Sequence, residues 1–133
     1  MQVQKTKTQK IDEIEDIINN PGWTEKYYRF SPFPGAPVCT AGVVQLAEVA
    51  GCYWLLDIIA SYQSSRKLDK AFQVWTLEVY NSETAKKMGC AAIVRGFNDK
   101  TLIIKQKIPF TDFPLEELKL YLMDGVILLP SEY

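Results

Sequence analysis

Residues 72–108, which read FQVWTLEVYNSETAKKMGCAAIVRGFNDKTLIIKQKI, decide the fold that this sequence predicts. Three parts of the stretch are rich in strand-forming residues and alternate between apolar and polar types, which predicts strands over 72–80, 91–97 and 102–108. Asn98-Asp99-Lys100 is typical of a tight hairpin turn, whereas 81–87 suits a looser loop. Since these connections leave no room for crossover helices, we expect the strands to pair in sequence as an antiparallel meander.

Two helices precede the strands and are expected to supply the centre of the core. Thr40 is a good N-cap for the first helix, and Gly51 is a natural left-handed residue at its end. The second helix begins near Cys52 and carries a wide apolar stripe made of Trp54, Leu55, Ile58, Ile59 and Tyr62. Trp54 and Asp57 are candidate binding residues, although a carboxylate beside such a stripe more often meets water or a backbone group.

Each end of the chain adds a short helix to this prediction. Isoleucines recur at helical spacing from Ile11 to Ile18, after a polar segment, 1–10, that predicts a flexible tail. Near the other end, Leu115, Leu118 and Leu122 predict a helix that stops at Gly125, and 126–129 predicts a further strand or a plug of the core. We therefore expect one α+β domain over 11–133, with an antiparallel sheet of three to five strands packed against the central helical pair.

Composition excludes several classes of function. The 133 residues contain no histidine, so His-activated nucleophiles and His-ligated zinc are excluded, and we expect no metal and no cofactor. Three widely spaced cysteines, Cys39, Cys52 and Cys90, predict free thiols and a reducing cytoplasm. The chain shows neither a signal peptide nor an uninterrupted apolar stretch of membrane-spanning length, so no membrane association is expected.

The first candidate surface is an aromatic segment over 23–33. Its residues Trp23, Tyr27, Tyr28 and Arg29 are binding candidates, followed by the proline-rich loop SPFPGAP. Aromatic rings in such a segment either cover an edge of the core or form an exposed platform for a partner, and we favour the cover.

The second candidate surface is basic. Residues 86–107 contain six Lys and Arg residues against one Asp, and Arg95, Lys105 and Lys107 stand within the predicted strands. Residues 112–133 carry five acids against one Lys, so the two segments either neutralise each other or leave the basic strands available to nucleic acid. Neutralisation is the simpler interpretation.

Several motifs together resemble one known family. They are Thr24-Glu25, Tyr28-Arg29, Thr40-Ala41-Gly42-Val43, Tyr53-Trp54-Leu55-Leu56-Asp57, Thr111-Asp112-Phe113-Pro114 and the final Leu128-Leu129-Pro130-Ser131-Glu132-Tyr133. In this order they resemble a bacterial family named plasmid-related protein, a domain of unknown function, over residues 23–133. The resemblance implies a setting on plasmids, phages or integrated elements and no assigned activity. Many relatives carry a different, often histidine-containing, segment where this chain has SPFPGAP.

Three functional hypotheses follow from these observations. The first is a non-catalytic protein-interaction module with an unknown protein partner, anchored by the aromatic segment and open to homodimer formation. The second is a nucleic-acid-binding accessory protein that uses the basic strands over 86–107. The third is a small enzyme, which would need Asp57 and Asp112 as an acid-base pair or Cys39 as a nucleophile.

Overall fold

A computed structural model describes residues 6–19 and 26–133, which form a single α+β domain with four helices and a seven-stranded sheet. The helices are α1 (Lys7–Asn19), α2 (Ala41–Ala50), α3 (Tyr53–Ser61) and α4 (Ser82–Met88). The strands are β1 (Tyr27–Arg29), β2 (Val38–Thr40), β3 (Phe72–Val79), β4 (Ala92–Asn98), β5 (Thr101–Ile108), β6 (Glu117–Met123) and β7 (Val126–Leu128). A single 3-10 turn, Pro130–Glu132, follows β7.

The predicted meander is confirmed, and the sheet extends well beyond it. Strands β3, β4 and β5 pair antiparallel in sequence, and the turn between β4 and β5 contains Asp99, whose φ of 55° is left-handed. The full order is β1-β2-β7-β6-β3-β4-β5, so the expected three to five strands were too few. One pair, β2 with β7, is parallel, because the long chain between them provides the crossover.

The central helical pair is also confirmed. The Thr40 hydroxyl accepts a hydrogen bond from the Val43 backbone N–H, and Gly51 ends α2 in the left-handed conformation. The α3 end lies against the sheet, since the Tyr62 ring stacks on Trp75 and its hydroxyl donates to Gln106 at 2.7 Å. Buried residues of both helices and of the sheet form one continuous core.

Three local predictions were wrong. The segment expected to be a C-terminal helix forms β6, and Gly125 lies in the turn that leads to β7. The expected loose loop over 81–87 is helix α4, which Asn81 caps and Gly89 ends. Helix α1 begins at Lys7, so the last part of the expected tail over 1–10 is helical, and residues 1–5 lie outside the described residues.

Strand alternation gives the sheet two unlike faces. On the face that we call the covered face, side chains such as Trp75, Leu77 and Leu120 are buried in the core beneath the helices. On the opposite face, which we call the open face, the side chains of β3 and its neighbours are half-buried or exposed, except Ile93, which is 1% exposed. Register places Thr76, Arg95, Lys105 and Lys119 side by side on this open face.

Candidate binding surfaces

The aromatic candidates over 27–29 form β1 at the edge of the sheet. Tyr27 is 60% exposed, and Tyr28 and Arg29 are exposed as well. In the described residues β1 pairs with β2 on one side and with no strand on the other. Among the described residues of this segment, Phe30 is the ring that packs against the core, and the β1 side chains before it are exposed. Trp23 lies outside the described residues.

A groove of about 820 Å³ begins where β1 ends. One wall is the proline-rich loop from Phe30 to Ala36, and the other is the exposed side of α3 and the turn after it. The second wall brings Asp57, Ser61 and Ser64 opposite Phe33, a ring that is 74% exposed. The groove thus combines one exposed carboxylate, hydroxyl groups and an apolar ring.

The two candidates on α3, Trp54 and Asp57, lie in different places, because only Asp57 is among the residues that line the groove. Trp54 is half-buried, packs against the core and is not among the residues that line the groove. Phe33 lies within the candidate segment over 23–33 but was not named as a site residue, although one phenylalanine among three prolines in SPFPGAP was a visible signal of an ordered, exposed loop.

Arg95 and Lys105 lie directly opposite each other on β4 and β5, and Lys107 is two residues further along β5. Arg95 has a carboxylate within 3.6 Å, that of Glu78, which belongs to β3 and not to the acidic segment over 112–133. Lys107 points its ammonium at the Met88 backbone carbonyl, 3.5 Å away. Lys119, from within the acidic segment, joins the basic side chains across Thr76.

The open face continues from these cations into a group of aromatic rings. Phe72 and Tyr121 have ring centroids 5.3 Å apart, and the C-terminal Tyr133 lies 6.0 Å from Phe72 and 5.6 Å from Tyr121. Phe97 stands in the same row as Tyr121, with Val74 between them. Sequence reasoning missed Tyr121 and Lys119 because it assigned their segment to a helix, where they would not share a face with β3.

The groups expected for the enzyme hypothesis are a buried thiol and two carboxylates in different surroundings. Burial, and after it the charge of Glu132, raises the pKa of the Cys39 thiol to about 11. Burial likewise raises the pKa of Cys52 to about 12. A thiol with a raised pKa is a poor nucleophile at neutral pH. Asp57 lines the groove and Asp112 does not, and the described residues hold no group of three or more His, Cys, Asp or Glu able to bind a metal ion.

Within the same described residues, no helix has the length and apolar character needed to cross a bilayer. Comparison with known proteins gives a match to the family described as "Family of unknown function (DUF6876)", over residues 12–133. Neither a curated protein nor a solved structure matches the chain. Because the match covers nearly the whole sequence, the chain belongs to this family of unknown function, DUF6876.

Proposed function

We propose that this protein is a non-catalytic binding protein whose partner is another protein, held as an extended segment along β1 and in the groove. The observation that carries the proposal is the continuity of these two features. An edge strand with exposed rings, Tyr27 and Tyr28, runs directly into the groove wall at Phe30. An extended segment that follows the strand would therefore reach the groove at Phe30.

The chemistry of the two features suits such a segment. The outer edge of a terminal strand offers backbone N–H and C=O groups that an added strand can pair with, which supplies affinity without a particular sequence. The exposed Phe33 ring offers an apolar contact, and the nearby Asp57 carboxylate favours a segment that carries a Lys or Arg.

The biological setting is part of the same proposal. The resemblance to plasmid-related proteins favours a bacterial mobile element, where small accessory proteins act by binding. The free cysteines Cys39, Cys52 and Cys90 favour a reducing compartment, the cytoplasm.

Two phenylalanines provide a matched test. Phe33 lies in the groove wall and Phe110 follows β5, and each is strongly exposed and preceded by a proline. Tagged wild type, Phe33→Ala and Phe110→Ala are used as baits in nuclease-treated bacterial lysate, and bound proteins are quantified by mass spectrometry. We expect a protein that wild type and Phe110→Ala retain equally and that Phe33→Ala loses at least about tenfold, as for a central interface ring.

The proposal also requires that the Asp57 carboxylate and the exposed side chains of β1 contribute to binding of the partner. Asp57→Asn should weaken capture of the same protein. The double variant Tyr28→Ala, Arg29→Ala, which we call the β1 variant, should weaken capture more than Asp57→Asn does. If Phe33→Ala and the β1 variant both retain every protein that wild type retains, the groove and the strand do not form the interface and the proposal is wrong.

A further inference from the structure

We infer that the open face of the sheet is a second site, separate from the groove, and that it binds single-stranded nucleic acid. The site consists of the basic row Lys105, Arg95 and Lys119, together with the adjoining rings Phe97, Phe72 and Tyr121. The strand register, rather than the sequence, brings these residues together, since they come from β3, β4, β5 and β6.

The rings have the arrangement that unpaired bases require. Phe72, Phe97 and Tyr121 are half-buried, so each is fixed by its neighbours while part of it remains accessible, and Tyr133 adds a more exposed ring at 75%. Aromatic side chains held in this way on a sheet stack against bases of any sequence. Bases in a duplex are already stacked on each other, so the rings favour a single strand.

The cations have the arrangement that a phosphate backbone requires. Lys105, Arg95, Thr76 and Lys119 occupy adjacent strands in one row, which spans about 15 Å at the usual spacing between strands. Three positive charges in this row therefore run alongside the aromatic row. Phosphates can lie over the cations while bases turn towards the rings.

Like charges and their neighbours also favour an anionic ligand here. Arg95 and Lys105 are direct cross-strand partners whose repulsion is offset in part by the Glu78 carboxylate, 3.6 Å from Arg95, and an anion over the row would offset the rest. Glu78 and Glu117 are cross-strand partners in the next row, so they limit the site on that side. The ligand is thereby confined to the half of the face that holds the rings.

Fluorescence anisotropy with a labelled twelve-nucleotide oligo(dT), beside a duplex of the same length, tests the inference. Wild type should bind the single strand more tightly than the duplex. Its association constant should fall with salt with a log-log slope of about −2, as three phosphate contacts on a single strand would give. Tyr121→Leu should weaken binding at least about fivefold through lost stacking.

Matched variants distinguish this site from the groove and from a folding defect. Lys119→Ala should weaken binding and reduce the salt slope by about 0.7, because one phosphate contact is removed, whereas Lys87→Ala on α4 should change neither. Phe33→Ala should bind oligo(dT) as wild type does, so loss of the groove function leaves this measurement intact.

Two outcomes would overturn the inference. One is the absence of oligo(dT) binding at about 100 μM protein in low salt, the weak end of non-specific affinity. The other is a concentration-dependent dimer, measured by sedimentation, that Tyr121→Leu abolishes and that leaves oligo(dT) unbound, since the occupant of the open face would then be a second copy of the chain.

Discussion

The two faces of the sheet use alternate residues of the same strands for different purposes. On β3, Gln73, Trp75 and Leu77 are buried on the covered face, whereas Val74, Thr76 and Glu78 are half-buried or exposed on the open face. The buried set fixes the fold by close packing and paired polar groups. The side chains on the open face are less tightly packed, so charged and aromatic residues can occupy these positions and contact a ligand.

The largest expected effect lies on the covered face, at Gly96. A Cβ atom at this position would stand 2.7 Å from the Trp75 ring, which is too close for any side chain. Gly96→Ala must therefore displace a fully buried ring, and we expect the free energy of unfolding to fall by about 3 kcal/mol, at the upper end of typical overpacking costs. Urea denaturation followed by Trp fluorescence or circular dichroism measures it.

A double-mutant cycle identifies the cause of that loss. In a Trp75→Leu background the clash is relieved, so adding Gly96→Ala should cost at least about 1 kcal/mol less than it does in wild type. Equal costs in the two backgrounds would show that the ring is not what Gly96 accommodates.

The second prediction concerns the reactivity of a buried thiol, that of Cys39. At pH 8 a thiol whose pKa is raised from 9.0 to about 11, as burial raises that of Cys39, holds about a hundredfold less thiolate. In a Cys52→Ala, Cys90→Ala variant we expect Cys39 to react with an aromatic disulfide reagent at least about a hundredfold more slowly than free cysteine. Only the thiolate reacts, and below its pKa the thiolate fraction of Cys39 rises about tenfold per pH unit. The rate for Cys39 should therefore rise about tenfold between pH 9 and 10, where the rate for free cysteine levels off.

For comparison with the buried Cys39 thiol, a cysteine is introduced on the open face at Lys119. In a background with all three native cysteines replaced by alanine, Lys119→Cys should react nearly as fast as free cysteine, because its side chain is exposed. Protection of the Lys119→Cys thiol to the same extent as Cys39 would mean that something covers the open face, and the division between the faces would fail.

A buried amide gives the third prediction. Gln73 is fully buried, accepts a hydrogen bond from the Trp75 indole N–H at 2.9 Å, and donates to the Asp69 backbone carbonyl at 3.0 Å. Gln73→Leu leaves these partners unpaired, so we expect the free energy of unfolding to fall by about 2 kcal/mol. Thr76→Val, of similar shape on the open face, should change it by no more than about 0.5 kcal/mol. Equal losses in both variants would contradict the comparison.

The sequence predicted those parts of the fold whose signals are local. Thr40 and Gly51 mark the ends of α2 through capping and a left-handed turn, and each acts within a few residues of its own position. The hairpin around Asp99 is likewise local. The parallel pairing of β2 with β7 depends on residues far apart in the chain, and no local pattern contains that information.

The C-terminal segment shows why the open face was only partly predicted. Leu118 and Leu122 suit a helix by their spacing, but Leu118, Leu120 and Leu122 also alternate, and the alternation proved correct because all three are buried against the core. The free edge of β3 next to them selected the strand. Arg95 and Lys105 lie in segments that were predicted correctly as strands, so they were identified as candidates. Lys119 and Tyr121 lie in the segment predicted as a helix, so they were not.

The smallest expected effect on stability is a gain, and it lies on the open face. Lys105→Glu replaces a direct cross-strand repulsion with Arg95 by an attraction, so we expect the free energy of unfolding to rise by about 0.2–1 kcal/mol, measured by the same denaturation. A loss of more than about 1 kcal/mol would mean that Lys105 supports the fold. Since the same change places a carboxylate in the basic row, it should also weaken oligo(dT) binding. Higher stability with lower affinity in one variant would show that this lysine serves the ligand at the expense of the sheet.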